Sequence, residues 1–366
     1  MTGLTVQEVA TELRTTLGIS PLGVKADYAG EIDMKQILTR FTSLMILLAL
    51  ITPAVVNAAA PAPRGKIVFQ QASGGPIYTV NLDGTGLRQV GAGIDPSWSP
   101  DGTQITYADW SQQPRAIWVV AADGSNKRKL FDAPEPRSPR WSPDGQAIVF
   151  TNRRWSAGQH EVCVTVKRPG HGSQPVCREM PPDEVSFLGL IDLATGAFRD
   201  LPTWPHAKTP AWAPDSTHIV YASEKGVHQT DRAGTLGFDP HLPAINAVSL
   251  DAADTDPELS PDGRFLVTMY HQHDHWEIHR LDLQTGARRR LTQSGLLGRP
   301  ANNVAPTWSP DGSAILFLSD RGGSWEFYLM NADGSNQHPI LQTITAQVPI
   351  TYDFASEQVA DWTNEP

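Results

Sequence analysis

The chain has 366 residues, of which 40% are hydrophobic and 19% charged, with 30 Gly, 30 Pro and a formal net charge of −10. This is the composition of a soluble folded domain with no long disordered tract after Pro63. The negative balance argues against nucleic-acid binding, which calls for a basic face, and two cysteines offer too few ligands for a zinc site.

In chain order, residues 1–33 carry Glu8, Glu12, Asp27, Glu31 and Asp33 ahead of a second Met-Lys start at Met34. Two readings stand open: a misassigned or disordered extension, or a short amphipathic cytoplasmic helix over "TVQEVATELRTTL". Residues 34–58 have the layout of a secretory signal peptide. Lys35 and Arg40 precede an apolar run from Leu44 to Ile51, then Pro53 and a Val56-Asn57-Ala58 cleavage site. The run is shorter than the ~20 residues of a membrane span. Cleavage leaves a mature chain of charge −9 in the periplasm or outside the cell, whereas an uncleaved segment would tether it to the membrane. No Cys lies near the cleavage region, so no lipid anchor is expected there.

After a linker over 59–64, the segment 65–366 is built from one repeated phrase. "PSWSPDGTQITYA" at Pro96 returns as "PRWSPDGQAIVF" at Pro139, "PAWAPDSTHIVYA" at Pro210, "PELSPDGRFLVTM" at Pro257 and "PTWSPDGSAILFL" at Pro306. Ser-Pro-Asp-Gly is a turn, with Pro presetting φ and Gly closing it, and the alternating run behind it is a half-buried strand. A second phrase, as in "IWVVAADGSNKRKL" or "FYLMNADGSNQHPIL", adds two more strands around a Gly turn. Trp98, Trp141, Trp212, Leu259, Trp308 and Trp362 mark the units, at separations of 43, 71, 47, 49 and 54 residues. Four strands per forty-odd residues is propeller spacing.

The ends complement each other. "GKIVFQQASGGPIYTVNLDGTGLRQV" from Gly65 has the second to fourth strands of a unit, and "ADWTNEP" at the C-terminus has only the Trp strand. Joined, they close a ring of six blades. The Trp-Ser-Pro-Asp-Gly hairpin with its Ala-Asp-Gly-Ser-Asn turn resembles the TolB-type, WD-repeat-like propeller family over roughly Arg64 to Pro366. The resemblance implies an all-β, six-bladed β-propeller of four-stranded antiparallel blades that binds a protein or peptide at its channel mouth. The segment ahead of Arg64 is too short, and of the wrong character, for the α/β domain that TolB carries there.

The chemistry expected from the loops is sparse. No Gly-x-Ser-x-Gly elbow is present, so a complete serine hydrolase is not expected. The 71-residue spacing marks an insertion over 153–186 in the third blade, where Cys163 and Cys177 are expected to form a disulfide in an oxidising compartment. "HQHDHWEIH" puts His271, His273 and His275 at period-2 spacing, the one candidate divalent-metal site; otherwise no cofactor and no catalytic residue are expected. The binding residues are sought where blades differ, in the links from second to third strand and from blade to blade, which emerge on one face. These are Asp95, Trp110, Arg137, Arg153, Arg154, Trp155, Asp256, Asn302, Asn303 and Arg321. The repeated Trp residues are expected to be packing between blades. Two alternatives stay open: a metal-dependent polysaccharide lyase or hydrolase, and a carbohydrate-binding sensor with Trp110 and Trp155 as stacking platforms. The closed ring is expected to be monomeric.

Overall fold

The computed structural model describes residues 64–155, 160–168, 172–180, 184–235, 254–293, 299–352 and 357–364. The expected signal peptide, the extension before it and the linker up to residue 63 lie outside the described residues. Among the described residues no helix is long and apolar enough to cross a membrane.

Blade 1 unites both ends of the chain: β25 (Ala360–Thr363) pairs with β1 (Lys66–Gln70), followed by β2 (Pro76–Asn81) and β3 (Arg88–Ala92). Blade 2 holds β4 (Ile94–Trp98), β5 (Gln104–Asp109), β6 (Ala116–Ala121) and β7 (Arg128–Asp132). Blade 3 holds β8 (Glu135–Trp141), β9 (Ala147–Trp155), β12 (Glu184–Asp192) and β13 (Phe198–Asp200). Between β9 and β12 the chain forms a separate hairpin of β10 (His160–Arg168) and β11 (Gly172–Met180). Blade 4 has three strands among the described residues, β14 (Lys208–Trp212), β15 (His218–Ser223) and β16 (Gly226–Asp231). Blade 5 holds β17 (Asp254–Leu259), β18 (Phe265–Gln272), β19 (His275–Asp282) and β20 (Arg288–Arg290). Blade 6 holds β21 (Asn303–Trp308), β22 (Ala314–Ser319), β23 (Glu326–Asn331) and β24 (His338–Ile340), and a short helix α1 (Gln342–Gln347) follows it.

Every pairing is antiparallel, and each first strand touches the first strand of the next blade, from β4 through β8, β14, β17 and β21 to β25 and back to β4. The six-bladed ring is thus closed as the sequence predicts. Closure is by register: Ile67 faces Trp362 and Val68 faces Asp361 across the two ends of the chain.

The core is divided the same way, since a flat blade has two faces to bury and only its neighbours to bury them against. Six apolar clusters fill the six gaps. Val68, Ile77 and Trp98 join blades 1 and 2; Ile117 and Phe150 join 2 and 3; Val149, Leu188 and Trp212 join 3 and 4. Val220 and Leu266 join 4 and 5, Val267 and Trp308 join 5 and 6, and Phe69, Phe327 and Trp362 join 6 and 1. Trp98, Trp212, Trp308 and Trp362 pack between blades, as expected, whereas Trp141 is half-buried and belongs to none of the six clusters.

The Ser-Pro-Asp-Gly turns are fastened alike. Ser99 donates its hydroxyl to Asp101 at 2.6 Å, and the Gln104 N–H returns to Ser99 at 2.9 Å. Ser309 and Asp311 repeat this pair at 2.6 Å. Hydrogen bonding from the serine holds the Asp101 and Asp311 carboxyls below their ordinary value.

Candidate functional site

The site is built where the first strands line the ring axis. In five of them an X-Pro pair breaks the ladder: residues 95–96, 138–139, 209–210, 256–257 and 305–306 each oppose a single residue of the second strand. Proline has no N–H for the ladder, so on a sheet-edge strand it is accommodated in a bulge, and a bulge re-aims the side chain beside it. The residue ahead of each Pro takes φ between 47° and 55°.

Two of those residues are aspartates with different fates. Asp95 is fully buried and accepts the N–H of Ser138 at 2.8 Å and of Gln358 at 2.9 Å, tying blade 2 to both neighbours. Asp256, 6% exposed, has no such donor among the described residues: its Oδ2 is buried without a hydrogen-bond partner, as are the hydroxyls of Thr255 and, at the blade 4 bulge, Thr209. The Ala305 N–H, which corresponds to that of Ser138, faces Met269 Sδ at 3.2 Å instead.

One level along the axis, the residue before each repeated Trp is Ser97, Arg140, Ala211, Glu258, Thr307 or Asp361. All but Thr307 line a cavity of about 280 Å³, together with Trp98, Trp141, Trp212, Trp308 and Trp362 and the prolines of the turns. The cavity therefore opens on the face that carries the Ser-Pro-Asp-Gly turns. Its two carboxylates cross-link blades in one pattern. Glu258 Oε1 accepts the Thr307 hydroxyl at 3.1 Å and the Trp308 N–H at 3.0 Å. Asp361 Oδ2 accepts the Ser97 hydroxyl at 3.0 Å and the Trp98 N–H at 2.7 Å, and its Oδ1 takes the Trp362 N–H at 2.8 Å. Glu258 Oε2 has no donor among the described residues, and Glu258 is part-exposed to the cavity.

Burial of this much negative charge shows in its titration. Enclosure by protein pushes Glu258 up to about 8, helped by the nearby Asp361 charge, and Asp256 up to about 6. Burial likewise raises Asp95 and Asp361. The one cation whose field opposes all four is Arg140, which forms an ion pair with none of them among the described residues and donates instead to the Pro139 carbonyl at 3.0 Å.

The residues expected from the loops lie elsewhere: except for Asp95 and Asp256, at the buried bulges, they stand on or near the opposite, link face, in two groups. In the first, Trp110 lies between the guanidinium groups of Arg115 and Arg137, at 4.2 and 4.4 Å, and donates its indole N–H to the Pro136 carbonyl at 2.8 Å. Arg137 reaches Glu357 at 3.5 Å, Arg153 reaches Glu135 at 3.3 Å, and Arg154 pairs with Asp200 at 3.0 Å. Trp155 closes β9 opposite Glu184. In the second, Asn303 accepts from Arg321 at 2.7 Å and from Ser319 at 2.9 Å, and Asn302 bonds to Asp320 at 2.8 Å. Most of these side chains are committed to partners within the protein.

The histidines are spread by a turn. His273 and Asp274 form the two-residue tip between β18 and β19, with His273 at φ 55°, so period-2 spacing does not run through the segment. His271 packs on the Trp276 ring at 4.6 Å, and His275 turns to the buried Glu277 at 3.2 Å. Among the described residues no three of His, Cys, Asp and Glu converge as metal ligands. His228 is half-buried against Trp204 and Tyr221.

Arg140, Glu258 and Asp361 were not singled out from the sequence, although they vary at one fixed position of the repeat. The signal was there: variation among blades was sought in loops, while the inward-facing place before each Trp was passed over.

Residues 245–351 match the family model described as the TolB beta propeller domain. The structure is similar to TolB from Acinetobacter baumannii, at 15% identity and a TM-score of 0.57, over 91% of this chain and 73% of that one. A TolB-like structure from Agrobacterium tumefaciens matches at 16% identity and a TM-score of 0.50, over 76% of this chain and 88% of the other. Among curated proteins, the Tol-Pal system protein TolB of Albidiferax ferrireducens is 37% identical over 70 residues, covering 18% of this chain and 16% of its own length. Dipeptidyl-peptidase 5 of Porphyromonas endodontalis is 24% identical over 313 residues, covering 79% of this chain and 40% of its length. The uncharacterized peptidase YuxL of Bacillus subtilis is 26% identical over 158 residues, covering 38% of this chain and 22% of its length. The chain thus spans well under half the length of these curated relatives. Family model, fold and repeats agree that this chain resembles the TolB-type six-bladed β-propellers.

Proposed function

We propose that the protein is an exported, TolB-like propeller that acts as a protein- or peptide-binding scaffold in the periplasm or outside the cell. The observation that supports it best is the axial cavity: all six blades contribute to it, and it leaves one carboxyl oxygen of Glu258 without a protein donor among the described residues and the half-buried Trp141 at its lining. A closed ring holds such a site in place at little conformational cost to the partner's binding. The likeness to a Tol-Pal system protein adds support for an envelope role.

The test is selection of a displayed random heptapeptide library on the full chain, followed by binding to Ala211→Leu. Ala211 is the smallest side chain lining the cavity, so leucine there narrows it; because Ala211 also packs with Val220 and Leu266 between blades 4 and 5, the variant is compared only where its thermal midpoint shows it folded. Peptides that bind the wild type and lose at least tenfold affinity for the variant are expected. Recovery of no peptide that depends on the mouth would refute the reading.

A further inference from the structure

Resting on that reading, the cavity also defines what its partner must carry. Among the described residues, Arg140 is the one cation whose field opposes Asp95, Asp256, Glu258 and Asp361 alike, and it pairs directly with none of them. Arg137 and Lys208 lie on the first strands toward the link face, Arg137 beside Glu357 and Lys208 in the field of Asp256. Hydrogen bonds satisfy Asp95 and Asp361, which leaves two oxygens without donors among the described residues, Oε2 of Glu258 in the cavity and Oδ2 of the 6% exposed Asp256 below it. Glu258 keeps its proton up to about pH 8 in the free protein, so a cation seated there displaces that proton and binds more tightly as pH rises toward 8.

Three features select among cations. No three carboxylate or imidazole groups converge, so a divalent metal would find too few ligands among the described residues. Five tryptophans are among the lining residues, four of them buried between blades and Trp141 half-buried, so Trp141 is the ring that offers an organic cation and its methylene stem an apolar surface. At about 280 Å³ the cavity falls below the range of ~300 to 1,000 Å³ typical of whole-ligand pockets, a size that suits one side chain.

We infer that the cavity is a receptor for one basic side chain: the partner segment presents a lysine or arginine whose head group meets Glu258 Oε2 while its stem lies along the half-buried Trp141. The partner is thus a peptide segment with an obligatory basic residue.

The experiment takes the heptapeptides whose binding is lost in Ala211→Leu. Sequencing should show one position fixed as Lys or Arg. Replacing that residue by norleucine should weaken binding to the wild type at least tenfold, and the basic and norleucine peptides should bind Glu258→Gln within threefold of each other. Glutamine keeps the acceptor for Thr307 and Trp308, so the blade contact survives. Mouth-dependent peptides with no fixed basic residue, or norleucine versions that bind the wild type equally well, would overturn the inference while leaving the scaffold reading intact. A basic preference that persists in Glu258→Gln would also overturn it, by removing the carboxylate assigned here. Recovery of no mouth-dependent peptide brings down both.

Discussion

Single residues set the local geometry of the turns. In the four complete Ser-Pro-Asp-Gly turns the glycines at 102, 145, 263 and 312 have φ of 68° to 71°, where a Cβ is strained. Blade 4 has Ser216 at this place, at φ 57°, so the turn survives a side chain at a cost. Gly312→Ser is therefore expected to fold and to lose about 1 to 2 kcal/mol, seen as a lower denaturant midpoint with unchanged slope; an unchanged midpoint would show that the turn relaxes. Glu258 titrates against the fold. Its proton is held more tightly folded than unfolded, so between its ordinary 4.5 and about 8 the folded state carries more protons, and stability falls as pH rises through that window. Asp256, raised to about 6, adds to the fall at the lower end. Thermal midpoints across this range should drop less steeply in Glu258→Gln than in the wild type. Equal slopes would mean that the cavity carboxylate ionises as freely folded as unfolded.

At the scale of elements, the hairpins were readable because turn chemistry and period-2 alternation point the same way. The bulges were not, although every X-Pro pair was visible. Proline announces a break in the ladder, but whether it bends the strand or ends it depends on the neighbouring blade, as the two fates of Asp95 and Asp256 show. The histidine loop failed for a related reason: alternation carries across a segment only if it stays extended, and the chain reverses at His273 and Asp274. For the insertion, the backbone register bears on the expected pairing of its cysteines. The register sets Cys163 directly opposite Cys177 on β10 and β11. Facing residues of an antiparallel pair have Cα atoms about 4.5 to 5.5 Å apart, inside the range a disulfide spans. Protein secreted into an oxidising compartment should therefore yield, on non-reducing peptide mapping, one linked species joining the two cysteines. Two separately alkylated thiols would show that the hairpin stands without a staple.

For the whole molecule, the closed ring was legible from the ends of the chain alone, since a Trp strand without followers and followers without a Trp strand fit one blade. The site was less so, because an axis belongs to no blade: Arg140, Glu258 and Asp361 meet only after strands far apart in sequence have been arranged around it. The same closure makes the ring depend on its last strand. β25 supplies the pairing of Ile67 with Trp362, the Asp361 acceptor for Ser97 and Trp98, and, just ahead of it, the Gln358 N–H that Asp95 accepts. Deleting residues 357–366 would leave β1 with an unpaired edge, bury Asp95 with one donor fewer and open the seam between blades 1 and 6. An exposed edge recruits another strand, and the loss of a blade-to-blade core leaves apolar surface to cover. The truncated protein is therefore expected to elute from size exclusion with light scattering as oligomers or aggregates, while the full chain stays monomeric. Adding back a peptide of residues 357–366 should restore the monomer in proportion to its concentration. A truncated protein that remained a stable monomer would mean that the five other interfaces hold the ring without its clasp.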